Sequence, residues 1–260
     1  MFNFLRVSGK YLFLASLLCS FTYAIEIESP KHAVDVAGKQ RMYTQRMLKD
    51  YTMIGMKNSF GKPDEDLKLI MDEFENHLQS LHDYTKNKEI KHRTDEVKEM
   101  WVAIKKSLQN TPTKERVPQL QEDLEKLLDL SNDVTHLFAK ETGEEAGEIV
   151  DMSGRQRMLS QRMASLYMLK VWGINDEKFK EKMEKTMTLF KESLKTLQAS
   201  KLNTKEISEL LEKVERSFMF FEVMNRSKSA FIPTLMYKKS NDILKDMNLA
   251  TQKYVVAQSK

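Results

Sequence analysis

The chain has 260 residues, with 42 Lys and Arg against 38 Asp and Glu and a single cysteine. A nearly balanced charge gives no reason to expect nucleic acid or an anionic membrane surface as the main partner, so any electrostatic function must be local. The lone Cys19 lies in a segment that reads as a removable leader, which leaves the mature chain without disulfides, thiolate catalysis, cysteine-ligated zinc, iron-sulfur clusters or thioether-linked haem.

Residues 1–24 carry Arg6 and Lys10, an uncharged run from Tyr11 to Cys19, and then Thr22-Tyr23-Ala24, the form of a secretory signal cleaved after Ala24. Leu18 is bulky where lipidation of Cys19 would want a small residue, so the mature chain is expected to begin at Ile25 without an anchor. Cleavage removes two basic residues and no acidic one, leaving 40 basic against 38 acidic. No later stretch approaches the ~20 apolar residues of a spanning helix. A periplasmic protein with no membrane span is expected.

From there the chain reads as all-α. The first predicted helix, 31–59, carries the segment DVAGKQRMYTQRMLKDY over 35–51. Helices over 64–86, 92–109 and 117–141 follow, marked by apolar residues at three- and four-residue spacing such as Leu67, Ile70, Met71, Phe74, Leu78 and Leu81. Breaks fall at Gly61-Lys62-Pro63 and between Pro112 and Pro118. The fifth predicted helix, 145–173, contains DMSGRQRMLSQRMASLY over 151–167, and helices over 176–199, 204–230 and 233–257 complete the chain.

The two segments are one motif repeated at an offset of 116 residues: Gly38, Gln40, Arg41, Met42, Gln45, Arg46, Met47 and Tyr51 recur as Gly154, Gln156, Arg157, Met158, Gln161, Arg162, Met163 and Tyr167. The register persists downstream, where Phe74, Leu78 and Leu81 meet Phe190, Leu194 and Leu197, and Asn132, Thr135 and Phe138 meet Asn248, Thr251 and Tyr254. A duplication therefore spans the mature chain, as repeats over 25–142 and 143–260. Four helices in each repeat imply two tandem antiparallel four-helix bundles. Around Gly143 to Gly147 two arrangements are open: a break, or one long helix shared by the bundles.

On a helix, Ala37, Gly38, Arg41, Thr44, Gln45 and Leu48 share a face, as do Ser153, Gly154, Arg157, Ser160, Gln161 and Ala164. Small residues flanking an arginine let another helix come close and leave a slot for a guanidinium. Met42, Arg46, Met158 and Arg162 occupy the adjoining face. Asp35 stands four before Lys39 and Asp151 four before Arg155, spacing that suits salt bridges. Arg41, Arg46, Arg157 and Arg162 have no such local acid, and a buried uncountered arginine is costly by several kcal/mol. A bound anion, water, or a carboxylate on a neighbouring helix such as Glu73 or Asp133 must then answer them.

The pattern A/S-G-x-x-R-M-x-S/T-x-R, present in both copies, resembles the first helix of the PilJ/NarX-like sensory domain of type IV pilus chemoreceptors and nitrate/nitrite sensor kinases. In the nitrate sensors of that family, matching arginines from two copies of this helix hold one small oxyanion across a homodimer. The resemblance implies that role for Arg41 and Arg157, with close backbone approach at Gly38 and Gly154; Gln45 and Gln161, on the same helix face, are further candidate ligand contacts. Met42, Arg46, Met158 and Arg162 are secondary candidates. Two motifs in one chain could supply from a single polypeptide what a homodimer otherwise brings together, and guanidinium forks suit a planar oxyanion such as nitrate or nitrite. Unlike those relatives, this sequence reads as lacking flanking membrane helices, a signalling linker and a kinase or methyl-accepting region, so direct transmembrane signalling is not expected of it.

Other chemistry finds little support. Met42 and Met47 point about 140° apart on a helix of ~100° per residue, which disfavours a thioether copper site. Glu89-x-x-His92 mimics half of a di-iron motif, but Asp133-x-x-His136 lacks the glutamate and neither is repeated. No nucleophile-base pair or phosphate loop is present, so neither catalysis nor a cofactor is expected. Two functions remain: a ligand-binding sensory module reporting to a membrane partner, or a helical adaptor acting by contact with a pilus or chemoreceptor apparatus.

Overall fold

The protein is described by a computed structural model covering residues 25–226 and 232–257. The leader, Cys19 and the end expected for the seventh helix lie outside the described residues. Those residues form α1 (Pro30–Gly55), α2 (Pro63–Tyr84), α3 (Lys88–Leu108), α4 (Val117–Glu141), α5 (Glu144–Trp172), α6 (Phe179–Gln198), α7 (Lys205–Arg226) and α8 (Pro233–Ala257), with no strand among them.

Local chemistry sets the boundaries. Ser29 caps α1 by accepting from the His32 amide at 3.1 Å, with Pro30 in the first turn, where its missing N–H costs nothing. The first helix stops at Gly55, short of the expected 59, because Met56 and Lys57 turn back onto the last carbonyls. Asn87 starts α3 four residues earlier than the periodicity predicts, its side chain accepting from the Glu89 amide at 2.9 Å. Asp176 similarly accepts from the Lys178 amide at 2.9 Å, and α6 begins only at Phe179.

Helices α4 and α5 are separate. Gly143 adopts φ +87°, and a Cβ on Gly147 would lie 2.5 Å from the Ala139 carbonyl oxygen. Eight residues along one continuous helix rise about 12 Å, so this contact requires the chain to double back. The long shared helix is thereby ruled out.

In the first repeat α1 packs on α2 and α4, and α3 bridges those two; α5, α6, α7 and α8 repeat the pattern. The bundles join through their first helices, α1 against α5, which form the middle of the molecule. Phe74 packs on Trp101 with ring centroids 4.6 Å apart, and its counterpart Phe190 stacks on Phe218 at 4.5 Å. Each such buried side chain contributes roughly 1.5–3 kcal/mol relative to exposure. Because α1 is covered by α2, α4 and α5, even its polar residues Arg41, Lys49, Asp50 and Thr52 are buried. That forced burial builds the site.

Candidate functional site

Helices α1 and α5 cross where Gly38 meets Gly154: a Cβ on Gly38 would lie 4.0 Å from the Gly154 Cα. It would also be 3.3 Å from Arg157 Nη2 and 3.4 Å from Arg41 Nη2, and a Cβ on Gly154 would meet the same two atoms at 3.0 and 3.6 Å. The slot left by the two glycines is thus filled by guanidinium groups arriving from both repeats. Arg41 and Arg157 are among the largest fully buried side chains of the protein.

Each arginine is answered by the other repeat. Arg41 Nη2 lies 2.6 Å from Asp151 Oδ1, and Arg157 Nη1 lies 2.7 Å from Asp35 Oδ1. The pairing is reciprocal down to the main chain, since Arg41 Nη2 donates to the Asp151 carbonyl at 3.4 Å and Arg157 Nη2 to that of Asp35 at 3.3 Å. The local salt bridges form as well: Lys39 lies 3.2 Å from Asp35, and Arg155 3.2 Å from Asp151. Sequence reasoning looked to Glu73 and Asp133 for countercharges, but the acids that serve are Asp35 and Asp151, already assigned to other partners. Nothing in one repeat alone could reveal that its acid serves the arginine of the other.

Within each repeat, Asn132 Oδ1 accepts from Arg41 Nη1 at 2.9 Å and Asn248 Oδ1 from Arg157 Nη1 at 3.1 Å. These asparagines contact the arginine pair and were not among the candidates drawn from the motif. Their signal was available, since they keep the repeat register. Gln40 and Gln156 have an architectural duty: each donates to the second helix of its own repeat, at the Phe74 or Phe190 carbonyl, at 3.2 Å.

The electrostatics are strained. Burial would raise the carboxyl pKa of Asp35, yet Arg157 and Lys39 hold it below its ordinary value. Burial acts likewise on Asp151, which Arg41 and Arg155 hold down. Burial lowers the Arg41 pKa; Asp151 opposes this, while Arg155 and Arg157 add to the lowering. Four basic side chains, Lys39, Arg41, Arg155 and Arg157, thus surround two carboxylates. The buried Nε groups of both central arginines have no partner among the described residues, and neither Asp Oδ1 accepts an aligned hydrogen bond despite its proximity.

The other candidates lie outside this centre. Gln45 donates to Glu125 at 3.1 Å and accepts from Ser165, while Gln161 donates to the Ser240 carbonyl at 3.0 Å and accepts from Lys49 at 2.6 Å. Neither glutamine reaches the arginine pair through these bonds. Met42 and Met158 are core residues. Arg46 pairs with Asp66, and Arg162 with Glu125 at 2.7 Å, so both flanking arginines have non-local acids. Among the described residues no three His, Cys, Asp or Glu side chains form a group able to hold a metal ion, and no helix is long and apolar enough to cross a membrane.

Comparison with known proteins agrees with the doubled motif. The family model for the type IV pili methyl-accepting chemotaxis transducer N-terminal domain, PilJ, matches residues 26–127 and again residues 140–219. No curated protein and no solved structure shows significant similarity. With both repeats matched over more than half of its length, and with the same glycine and arginine of each at the α1–α5 crossing, the chain belongs to the PilJ family of sensory domains.

Proposed function

We propose that this protein is a periplasmic sensory module in which Arg41 and Arg157 form an intramolecular oxyanion site, taking nitrate or nitrite and reporting occupancy to a membrane partner. The observation that carries this reading is the pair of buried arginines at the Gly38–Gly154 crossing, each with an Nε donor that has no partner among the described residues. The excess of four cations over two carboxylates supports it, because an added monoanion reduces net charge where dielectric screening is weak. A carboxylate and a nitrate present similar planar oxygen pairs to a guanidinium. The anion competes with the poorly aligned Asp35 and Asp151 carboxylates, and its arrival changes how the repeats are held together.

The adaptor reading rests on one specific fact: both arginines already have carboxylates at 2.6 and 2.7 Å. On that reading the cluster is a permanent clasp. Calorimetric titration and thermal melts with nitrate and nitrite, at ionic strength held constant with chloride, separate the two. An oxyanion site predicts a rise in melting temperature with anion concentration, since a ligand of the native state alone stabilises it. Arg41→Ala or Arg157→Ala should each weaken binding by about 1.5–3 kcal/mol, the range for charge-assisted hydrogen bonds. Asp151→Asn should tighten it by removing a competitor. A clasp predicts no anion response, with Asp151→Asn and Arg41→Ala both simply destabilising.

A further inference from the structure

The arginine pair is closed off from solvent, so an anion reaches it only if a side chain moves. Arg41 and Arg157 are 0% and 1% exposed, and the carboxylates that face them, Asp151 and Asp35, are the groups an entering anion must displace. The two aspartates are equivalent positions, four residues before Arg155 and Lys39. Their surroundings differ.

Asp151 straddles two sets of partners. Its Oδ1 lies 2.6 Å from Arg41 Nη2 without accepting an aligned hydrogen bond. Its Oδ2 accepts from Arg155 Nη2 at 3.2 Å and lies 3.6 Å from His136 Nε2, and the Arg155 and His136 side chains meet each other at 3.3 Å. Arg155 and His136 stand at the surface, 38% and 50% exposed, and the Asp151 side chain between them and Arg41 is 11% exposed. The Asp35 side chain is 4% exposed, with Lys39 at 3.2 Å in the place of Arg155 and Gln252 at the position that corresponds to His136.

That asymmetry sets the direction of least cost. Turning the Asp151 carboxylate away from Arg41 gives up one poorly aligned contact, and the guanidinium fork of Arg155 can then take both oxygens, a stronger pairing than a single bond. Turning Asp35 away from Arg157 offers it a lysine, a point charge without a fork. Arg41 is kept from following Asp151 by Asn132, whose Oδ1 accepts from Arg41 Nη1 at 2.9 Å.

We infer that Asp151 is the movable gate of the arginine site and that Arg155 and His136 are the positioning residues that receive it: Arg41 is opened to a small anion as the Asp151 carboxylate swings outward onto them, while Asp35 stays on Arg157. What enters rests on the oxyanion reading; the gate does not.

The test is labelling of the intact protein with butanedione, a small neutral dicarbonyl that condenses with guanidinium groups it can reach, read at each arginine by mass spectrometry. Arg41 is expected to react about tenfold faster than Arg157, the weight of one further charge-assisted hydrogen bond in the open arrangement. Arg155→Gln should slow the labelling of Arg41 about two- to tenfold, and His136→Gln less, because the carboxylate loses its outer partners. A merely structural Arg155 predicts the opposite sign, since loosening the seam would expose Arg41 and speed the reaction. Lys39→Gln, at the equivalent place, should not slow Arg41. Equal rates at Arg41 and Arg157, no reaction at either, or unchanged or faster labelling of Arg41 in Arg155→Gln would overturn the proposal. Nitrate at constant ionic strength separates the gate from the oxyanion reading. If the expected pattern appears but nitrate does not protect Arg41, the gate stands and the oxyanion reading falls; if nitrate binds by calorimetry but the two arginines label equally, the gate alone falls.

Discussion

Single side chains here have effects that their neighbours in sequence do not foretell. Tyr51 and Tyr167 occupy equivalent places, yet their hydroxyls differ in partnership. Tyr167→Phe should lower stability by ~1 kcal/mol, the usual worth of a hydrogen bond, whereas Tyr51→Phe should be neutral or slightly stabilising; chemical denaturation of the two variants checks this. Lys49 is a second case. Burial pulls its pKa from 10.5 to about 8, although the ammonium donates to Gln161 at 2.6 Å and Asn241 at 2.8 Å and lies 4.1 Å from the Tyr237 ring centroid. Above pH 8 the native state releases this proton while the unfolded chain keeps it to about pH 10.4. Stability should therefore rise with pH across that window, by up to about 1.4 kcal/mol per unit. Lys49→Met should flatten the slope in denaturation curves measured between pH 8 and 10.

At the scale of elements, α1 and α5 differ from the other helices. A helix at the edge of a bundle shows water one face, and so reads as amphipathic. Surrounded on several sides, α1 and α5 carry charge into the middle and must satisfy it there. The acids of this seam fix its response to low pH. Asp35 and Asp151 have depressed pKa values in the native state, so their contribution is complete above the unfolded value of about 3.9 and is lost as pH falls below it. Melting curves should show a steep acid loss below about pH 4, made shallower by Asp35→Asn. Arg41→Ala at neutral pH should cost about 3–5 kcal/mol, because it leaves Asp151 partly buried without its main partner.

For the whole molecule, the α1–α5 seam makes two homologous bundles into one body. An arginine of each repeat reaches the aspartate of the other, so neither half completes its own charge balance. Differential scanning calorimetry should accordingly give a single transition, with calorimetric and van't Hoff enthalpies in agreement. Two resolved transitions would show that the seam does not couple the bundles. The two copies of the motif are thus brought together within one chain at the α1–α5 crossing.

The helical class, the eight segments and the duplication were legible in the sequence, because apolar spacing, glycine and proline breaks and a constant offset are local or linear properties. Gly38, Arg41, Gly154 and Arg157 stood out for the same reason, as polar and small positions repeated where core packing alone requires neither. Tertiary structure decided which acids answer the arginines, since Asp35 and Asp151 are more than a hundred residues from their partners and each also has a nearby basic residue that explains it locally. It decided too that α4 and α5 form a tight reversal, which Glu144, Glu145 and Ala146 by their helix propensity argue against, and that Tyr51 lacks the partner Tyr167 has. Each of these depends on where a distant backbone atom comes to lie, and that position is set by the packing of whole helices.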